Sequence, residues 1–360
     1  MARPTRGHHQ GRDLEASFRA KSRQVRRRSD KVRTRLKAGK ALPENALQGV
    51  VVTSAGPYWV VTPAGGAEAV ICTVSGTVDS PETDTIVTVG DVVWIVPQEE
   101  MTEFGDPVGV IVKREERRTL LSRRAAGRAR REQVVVANVD QLAIVVAARE
   151  PVYNKRLIDR YLIAADKGDL EPIIVVNKID LVPATERAEL IEDLAAYWDD
   201  LDLPVVFVSA STGEGLDALR KILHGCSTLL SGPSGVGKSS VINTLTDARL
   251  RVGAISSMYQ KGRHTTTAAM VIALPDGGQL VDTPGLREFA VWELDAQELP
   301  YYFSEFTPYA VHCRYQPCSH HHEPGCAVIQ AVEEGKIDPE RYLSYLLLLD
   351  EVQQDHDLRR

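Results

Sequence analysis

Between residues 49 and 115, short apolar runs rich in β-branched residues recur without any helical period. GVVVTSAGPYWVVTPAGG, EAVICTVSGTV, TIVTVGDVVWIVPQ and FGDPVGVIVKRE are each interrupted or bounded by Gly, Pro or Asp. Runs of that length and spacing predict about five short strands, which suit a small closed barrel of the oligonucleotide-binding (OB) type. From about Val134 the pattern changes. VDQLAIVVAA, EPIIVVNKID, PVVFVSA, CSTLLSG and GGQLVDTPG have strand length, and between most of them lie the amphipathic stretches KRLIDRYLIAADKGD, TERAELIEDLAAYW and EGLDALRKIL, with a further helix starting after Gly237. Strand and helix alternating in this way predict right-handed crossovers and an open, mainly parallel α/β sheet. PERYLSYLLLLDEVQQ, near the end of the chain, predicts a helix packed on the cysteine-rich segment before it.

Ligands of an open α/β sheet bind at the carboxyl ends of its strands, and the conspicuous motifs fall there. Gly232-Pro233-Ser234-Gly235-Val236-Gly237-Lys238-Ser239, followed by Ser240, joins an apolar strand to a helix in the pattern of a phosphate loop. Its glycines let backbone N–H groups converge on phosphates. Lys238 reaches the outer phosphate oxygens, and the Ser239 hydroxyl suits Mg²⁺. Asn177-Lys178-Ile179-Asp180 selects the base, because the Asp180 carboxylate accepts from both N–H donors on the edge of guanine and adenine has no such pair. Asn177 would brace adjacent loops and Lys178 would lay its stem along the base. Ser209-Ala210-Ser211, after the strand PVVFV, can supply a backbone N–H to the guanine oxygen. Asp282-Thr283-Pro284-Gly285 closes the last strand, where Asp282 would hold Mg²⁺ through water and the Gly285 N–H would sense a γ-phosphate. Lys261–Thr267 offers a second Mg²⁺ contact from Thr266 or Thr267. Leu286 stands where many GTPases carry a water-orienting glutamine, so His264 is the nearest alternative for positioning water.

Composition alters the picture in two places. The net charge is −6, yet residues 1–40 carry 14 Lys/Arg against 3 Asp/Glu, which is +11 and leaves −17 for the other 320 residues. Lys113–Arg131 adds 9 Lys/Arg against 2 Glu. Positive charge that dense points to a polyanion, RNA or DNA, through release of counter-ions. Of the five cysteines, Cys313, Cys318 and Cys326 cluster within 14 residues, a spacing that favours metal over disulfide in a reducing compartment. Three thiolates and one imidazole suit tetrahedral, structural Zn²⁺; chemistry alone leaves His312, His320, His321 and His322 open as the fourth ligand. No run of 18 apolar residues and no secretory signal is present, so a cytoplasmic protein without a membrane partner is expected.

The order of the motifs is N-K-x-D, S-A-S, phosphate loop, threonine, D-x-x-G, a circular permutation of the usual GTPase order. With a barrel before it and a cysteine cluster after it, the chain resembles the ribosome small-subunit-dependent GTPase A family, RsgA, over about residues 45–345. The expected organisation is multidomain: a basic extension (1–44) that lies outside the resemblance, and then, as the resemblance implies, an OB-fold RNA-binding barrel (45–118), a circularly permuted phosphate-loop G domain of α/β class (119–290) and a zinc-binding, mostly helical domain (291–360). It implies GTP and GDP as substrate and product with Mg²⁺, and one structural Zn²⁺ on Cys313, Cys318, His320 and Cys326, the C-x4-C-x-H-x5-C pattern selecting His320. It also implies a monomer that binds the small ribosomal subunit and its rRNA, assists late maturation and hydrolyses GTP faster on the subunit. The competing expectation is a GTP-dependent RNA-binding switch outside ribosome assembly with little hydrolysis. Permuted order sends the chain from D-x-x-G straight into the C-terminal domain, which would let nucleotide state move that domain.

Overall fold

Five strands close on themselves at the N-terminal end: β1 (Leu47–Ala55), β2 (Tyr58–Pro63), β3 (Val70–Val74), β4 (Val92–Met101) and β5 (Pro107–Arg114). The computed structural model describes residues 42–357, apart from 56, 67, 77, 79–84, 102–105, 125–131, 199–200, 202, 247–268 and 284–293. The basic extension therefore lies almost wholly outside the described residues, and His264, Thr266, Thr267, Gly285 and Leu286 lie outside them too. The barrel order is β1-β2-β3-β5-β4, with β4 returning to pair with β1. All neighbours are antiparallel except β3 and β5. Val51, Val61, Val70, Cys72, Val93, Ile95 and Ile111 fill the interior, and burial pushes the Cys72 thiol up to about 12. Such a thiol is an apolar packing group at neutral pH.

Beyond the barrel, β6 (Leu120–Arg124) and β7 (Glu132–Ala137) form a separate antiparallel ribbon. It is sewn to the barrel by a bridge between Val89 and Val136 and by the Thr88 hydroxyl, which donates to the Val135 carbonyl at 2.9 Å. Arg117, also buried here, grips Asp91 with two hydrogen bonds of 2.7 and 2.9 Å. The basic run thus holds structure that its composition conceals. The short apolar runs Leu120-Leu121 and Val134–Val136 provide the strand signal, but arginines crowd the flanking positions.

The α/β sheet follows: β8 (Gln141–Ala147), α1 (Lys155–Gly168), β9 (Glu171–Asn177), α2 (Ala184–Trp198), β10 (Val205–Phe207), α3 (Leu216–Leu223), β11 (Ser227–Ser231), α4 (Lys238–Leu245), β12 (Met270–Ala273) and β13 (Gln279–Asp282). Its order is β10-β9-β8-β11-β13-β12, parallel except for β12. Every residue of β8 is buried, as a central strand covered on both faces requires. Leu142, Ile144 and Val146 face α1 and α2, while Ala143, Val145 and Ala147 face α3 and α4. On its far side β12 pairs with β1 of the barrel, Met270 opposite Thr53, so barrel and α/β unit share one eleven-stranded sheet. MVIA is too short an apolar run to announce β12 in the sequence. Its antiparallel placement is why the sheet is mainly rather than wholly parallel.

The C-terminal unit contains two 3-10 turns (Leu299–Tyr302 and Ser304–Phe306), then α5 (Thr307–Ala310), α6 (Ala327–Glu333) and α7 (Pro339–Asp357). Phe303, Phe306 and Tyr345 form its aromatic centre, with ring centroids 5.0–5.3 Å apart. Helix α1 is buried on two sides. Ile158 and Tyr161 pack on the sheet, whereas Ile163 joins the C-terminal core. Beside Ile163, Asp159 (1% exposed) accepts from Tyr197 at 2.8 Å, Trp198 at 3.2 Å and Ser344 at 2.5 Å, and is paired with Arg341 of α7. Arg341 in turn donates to Glu305 at 2.5 Å and lies over the Phe303 ring at 4.4 Å. Although the chain reaches this unit directly from the D-x-x-G segment, the buried polar contacts tie it to α1 and α2. Among the described residues no helix is long and apolar enough to cross a membrane.

Candidate functional site

Strand β11 is buried throughout and carries the phosphate loop at its carboxyl end, between β8 and β13. The loop leaves the sheet at Gly232 with φ +148°, where a Cβ would lie 2.0 Å from the Val145 carbonyl oxygen, so only glycine fits. Val236 turns inward and is 1% exposed, anchoring the loop in the core, while Ser234, Gly235, Ser239 and Ser240 face outward. Gly237, with φ +91°, caps α4; a side chain there would meet the Asn177 amide nitrogen at 2.4 Å. Lys238, the first residue of α4, donates to the carbonyls of Gly232 and Pro233 at 2.7 Å each, which holds its ammonium against the loop. An exposed glycine-rich loop, a helix start and this lysine together suit an anion.

Asn177 ends β9 and is 2% exposed. Its amide nitrogen donates to the Val236 carbonyl at 2.8 Å, and its oxygen accepts from the Ala210 N–H at 3.1 Å. One side chain therefore joins the N-K-x-D segment, the phosphate loop and Ser209-Ala210-Ser211. Lys178 adopts a left-handed conformation (φ 63°) and donates to the Glu150 carbonyl. Asp180 is the middle residue of a short 3-10 turn (Ile179–Leu181) and is exposed. The Ser209 and Ser211 hydroxyls hold its carboxyl below the usual range, and Ser211 donates to it at 3.1 Å. Ser209 is fully buried and also accepts from the Thr212 N–H at 3.1 Å, which shapes the loop. Thr244 of α4 donates to the Ala210 carbonyl at 3.2 Å, a second tie between the two regions.

Asp282 ends β13 level with Leu230 of β11, two residues before Gly232, so its backbone stands beside the phosphate loop. Ser239 lies on the exposed first turn of α4. These positions suit a Mg²⁺ ion shared by a hydroxyl and an outer carboxylate. The motif spacing did not reveal Glu150 or Pro151 as parts of the site: the first receives Lys178, and the second lies 3.7 Å from the position of a Cβ on Gly235. A backbone carbonyl and a proline ring carry no sequence signature of their own.

The second centre lies under α7. Cys313, Cys318, His320 and Cys326 bring one ligand atom each to within 4.8 Å of all the others. Cys313 Sγ is 3.7 Å from Cys326 Sγ and 3.6 Å from His320 Nδ1, and the latter is 3.3 Å from Cys326 Sγ. Those separations are the edges expected of a tetrahedron about a small cation with thiolate and imidazole ligands. His320 reaches inward through a left-handed backbone (φ 54°), whereas His312, His321 and His322 are exposed and stand outside the cluster. A hydrogen bond between Cys313 and Cys326 pulls the Cys313 thiol well down, while that same bond and burial push Cys326 up and burial raises Cys318. Three thiolates in so small a space need a cation to coexist, and the donor set fits Zn²⁺. Tyr342 and Tyr345 of α7 donate to the carbonyls of His320 and Ser319. Glu323, absent from the sequence reading, accepts from the backbone of Ser319 at 2.7 Å, His321 at 3.2 Å and His322 at 3.3 Å. Burial opposes its charge, but these bonds prevail and hold its carboxyl at about 2.

Comparison with known proteins gives one coherent result. The family model for "RsgA GTPase" matches residues 114–292. A protein from Chlorobaculum parvum named small ribosomal subunit biogenesis GTPase RsgA is 43% identical over 313 residues, covering 86% of this chain and 99% of the relative. A protein of the same name from Porphyromonas gingivalis is 39% identical over 311 residues, covering 85% and 97%. Among solved structures, YjeQ from Thermotoga maritima superposes with a TM-score of 0.67 at 31% identity, covering 86% of this chain and 99% of that one. YloQ, described as a circularly permuted GTPase, superposes with a TM-score of 0.62 at 25% identity, covering 88% and 98%.

Proposed function

The chain belongs to the RsgA GTPase family, and from that premise we propose that it binds the small ribosomal subunit, assists its late maturation in the cytoplasm and hydrolyses GTP to GDP and phosphate faster when bound there. The observation that carries the nucleotide reading is the Asn177 side chain, which couples the phosphate loop to the guanine-reading loops. Asp180 would accept from guanine, and the loop of Ser209 and Ala210 would present an N–H to its oxygen. Gly232–Ser240 would cradle the phosphates, Lys238 exchanging its loop carbonyls for phosphate oxygens. Ser239, Asp282 and one of Thr266 and Thr267 would hold Mg²⁺, whose charge offsets that developing on the phosphates. Gly285 would sense the γ-phosphate and His264 would orient water. The cysteine centre would hold a structural Zn²⁺, since its four donors leave no position open for substrate.

The barrel supports the RNA part of this reading by its OB topology, with strongly basic segments on either side. A reading as an RNA switch with scant hydrolysis has no observation in its favour beyond the same charge. Sedimentation with purified small and large subunits, paired with phosphate release, tests the proposal. Co-sedimentation with small subunits and faster release are expected; binding to neither subunit, or release indifferent to them, would overturn it. His264→Ala should lose most of the stimulated turnover while GTP affinity and subunit binding stay near the parent values.

A further inference from the structure

We propose that Thr53 of the barrel is a positioning residue for GTP hydrolysis, carrying the engagement of the barrel to the strand ends beside the nucleotide; this rests on the subunit-stimulated GTPase reading above. The local sequence explains why Thr53 is placed there. Opposite β2, Val51 pairs with Val61 and Thr53 with Val60, so Val52 is an extra residue in a β-bulge. Bulges change the facing of the residues that follow them. Val51 fills the barrel interior, whereas Val52 packs into the core shared by the G domain and Thr53 meets β12.

There the Thr53 hydroxyl donates to the Ala269 carbonyl at 2.9 Å, the residue is 7% exposed, and its backbone stands opposite Met270. Met270 is in turn opposite Asp282, and Asp282 is opposite Leu230, just before the phosphate loop. One lateral row thus runs from the barrel through a single strand to the D-x-x-G aspartate. Thr53↔Met270 is the one pairing recorded between β1 and β12 among the described residues, so the hydroxyl reinforces the narrowest point of the shared sheet. A barrel that shifts when it grips RNA would pull on β12 at this point. β12 lies directly against the strand that carries Asp282.

Thr53→Val keeps the branched shape and removes the donor; Thr53→Ser restores it. In the full-length protein, with purified small subunits, we expect Thr53→Val to lower stimulated kcat about fivefold. Intrinsic turnover, KM for GTP and subunit co-sedimentation should stay within about twofold of the parent, and Thr53→Ser should recover most of the loss. Equal stimulated rates in Thr53→Val and parent would overturn the inference, as would a parallel fall of intrinsic and stimulated rates, which marks a merely structural bond. A parent that subunits fail to stimulate would overturn the functional reading itself and this inference with it.

Discussion

The amide of Asn177 donates to the carbonyl of Val236 at 2.8 Å, although 59 residues separate them in the chain. Because its oxygen also receives the Ala210 N–H, this one buried side chain fixes three loops. Asn177→Ala should therefore weaken GDP about 10- to 100-fold, the range expected when two buried hydrogen bonds are lost and their partners stranded. A fluorescent-GDP titration measures it; affinity within twofold of the parent would show that the brace is dispensable.

Guanine selectivity should rest on Asp180. Asp180→Asn reverses one donor–acceptor position and should shift preference from GTP toward XTP in a competition titration. Acidification gives a second check. The Ser209 and Ser211 hydroxyls lower the Asp180 pKa, so the ionised form that would accept from guanine should persist as pH falls into the carboxylate range. Replacing both serines by alanine should raise the Asp180 pKa back toward that of an ordinary carboxylate and move the acid loss of GTP binding to higher pH.

For the cysteine centre we expect one Zn²⁺ per chain by elemental analysis and release on acidification, since protons compete for thiolates and imidazole. Cys326→Ser should lower zinc content and destabilise the C-terminal unit, while GDP affinity stays near that of the parent. A folded, active preparation with little zinc would contradict the assignment.

Breaking the buried pair between Asp159 and Arg341 should be among the most damaging single changes. Arg341→Ala strands a carboxylate that is 1% exposed, an effect of about 3–5 kcal/mol in urea unfolding. The triple change Asp159→Leu, Arg341→Met and Glu305→Leu removes all three buried charges of the network and should recover a large part of that loss. Equal stability of Arg341→Ala and the parent would mean that the pair contributes nothing net.

Much of this was legible from local sequence. Phosphate loop, N-K-x-D and D-x-x-G are short segments, each requiring particular side chains at fixed offsets beside a strand end; β11 and β9 lead into the first two, and β13 ends at Asp282. The cysteine spacing likewise marks a centre that the folded chain assembles, with His320 inside and its three neighbours outside. What escaped depends on partners distant in the chain or on backbone atoms. Asp159 and Arg341 lie 182 residues apart, and each alone is an ordinary helical charge. Glu150 acts through its carbonyl, Glu323 through backbone N–H groups, and Thr53 through a bulge that alternation of apolar residues cannot show.

The Asp159–Arg341–Glu305 joint also bears on how this architecture can be taken apart. A cysteine-rich unit grafted onto another GTPase core would carry Arg341 into a wall lacking its matching acid, and a core expressed without that unit would expose Ile163 and an unpaired Asp159. Helix α1 and helix α7 are therefore one inheritable piece. Chimeras that exchange them together should fold, and recombination that separates them should be purged.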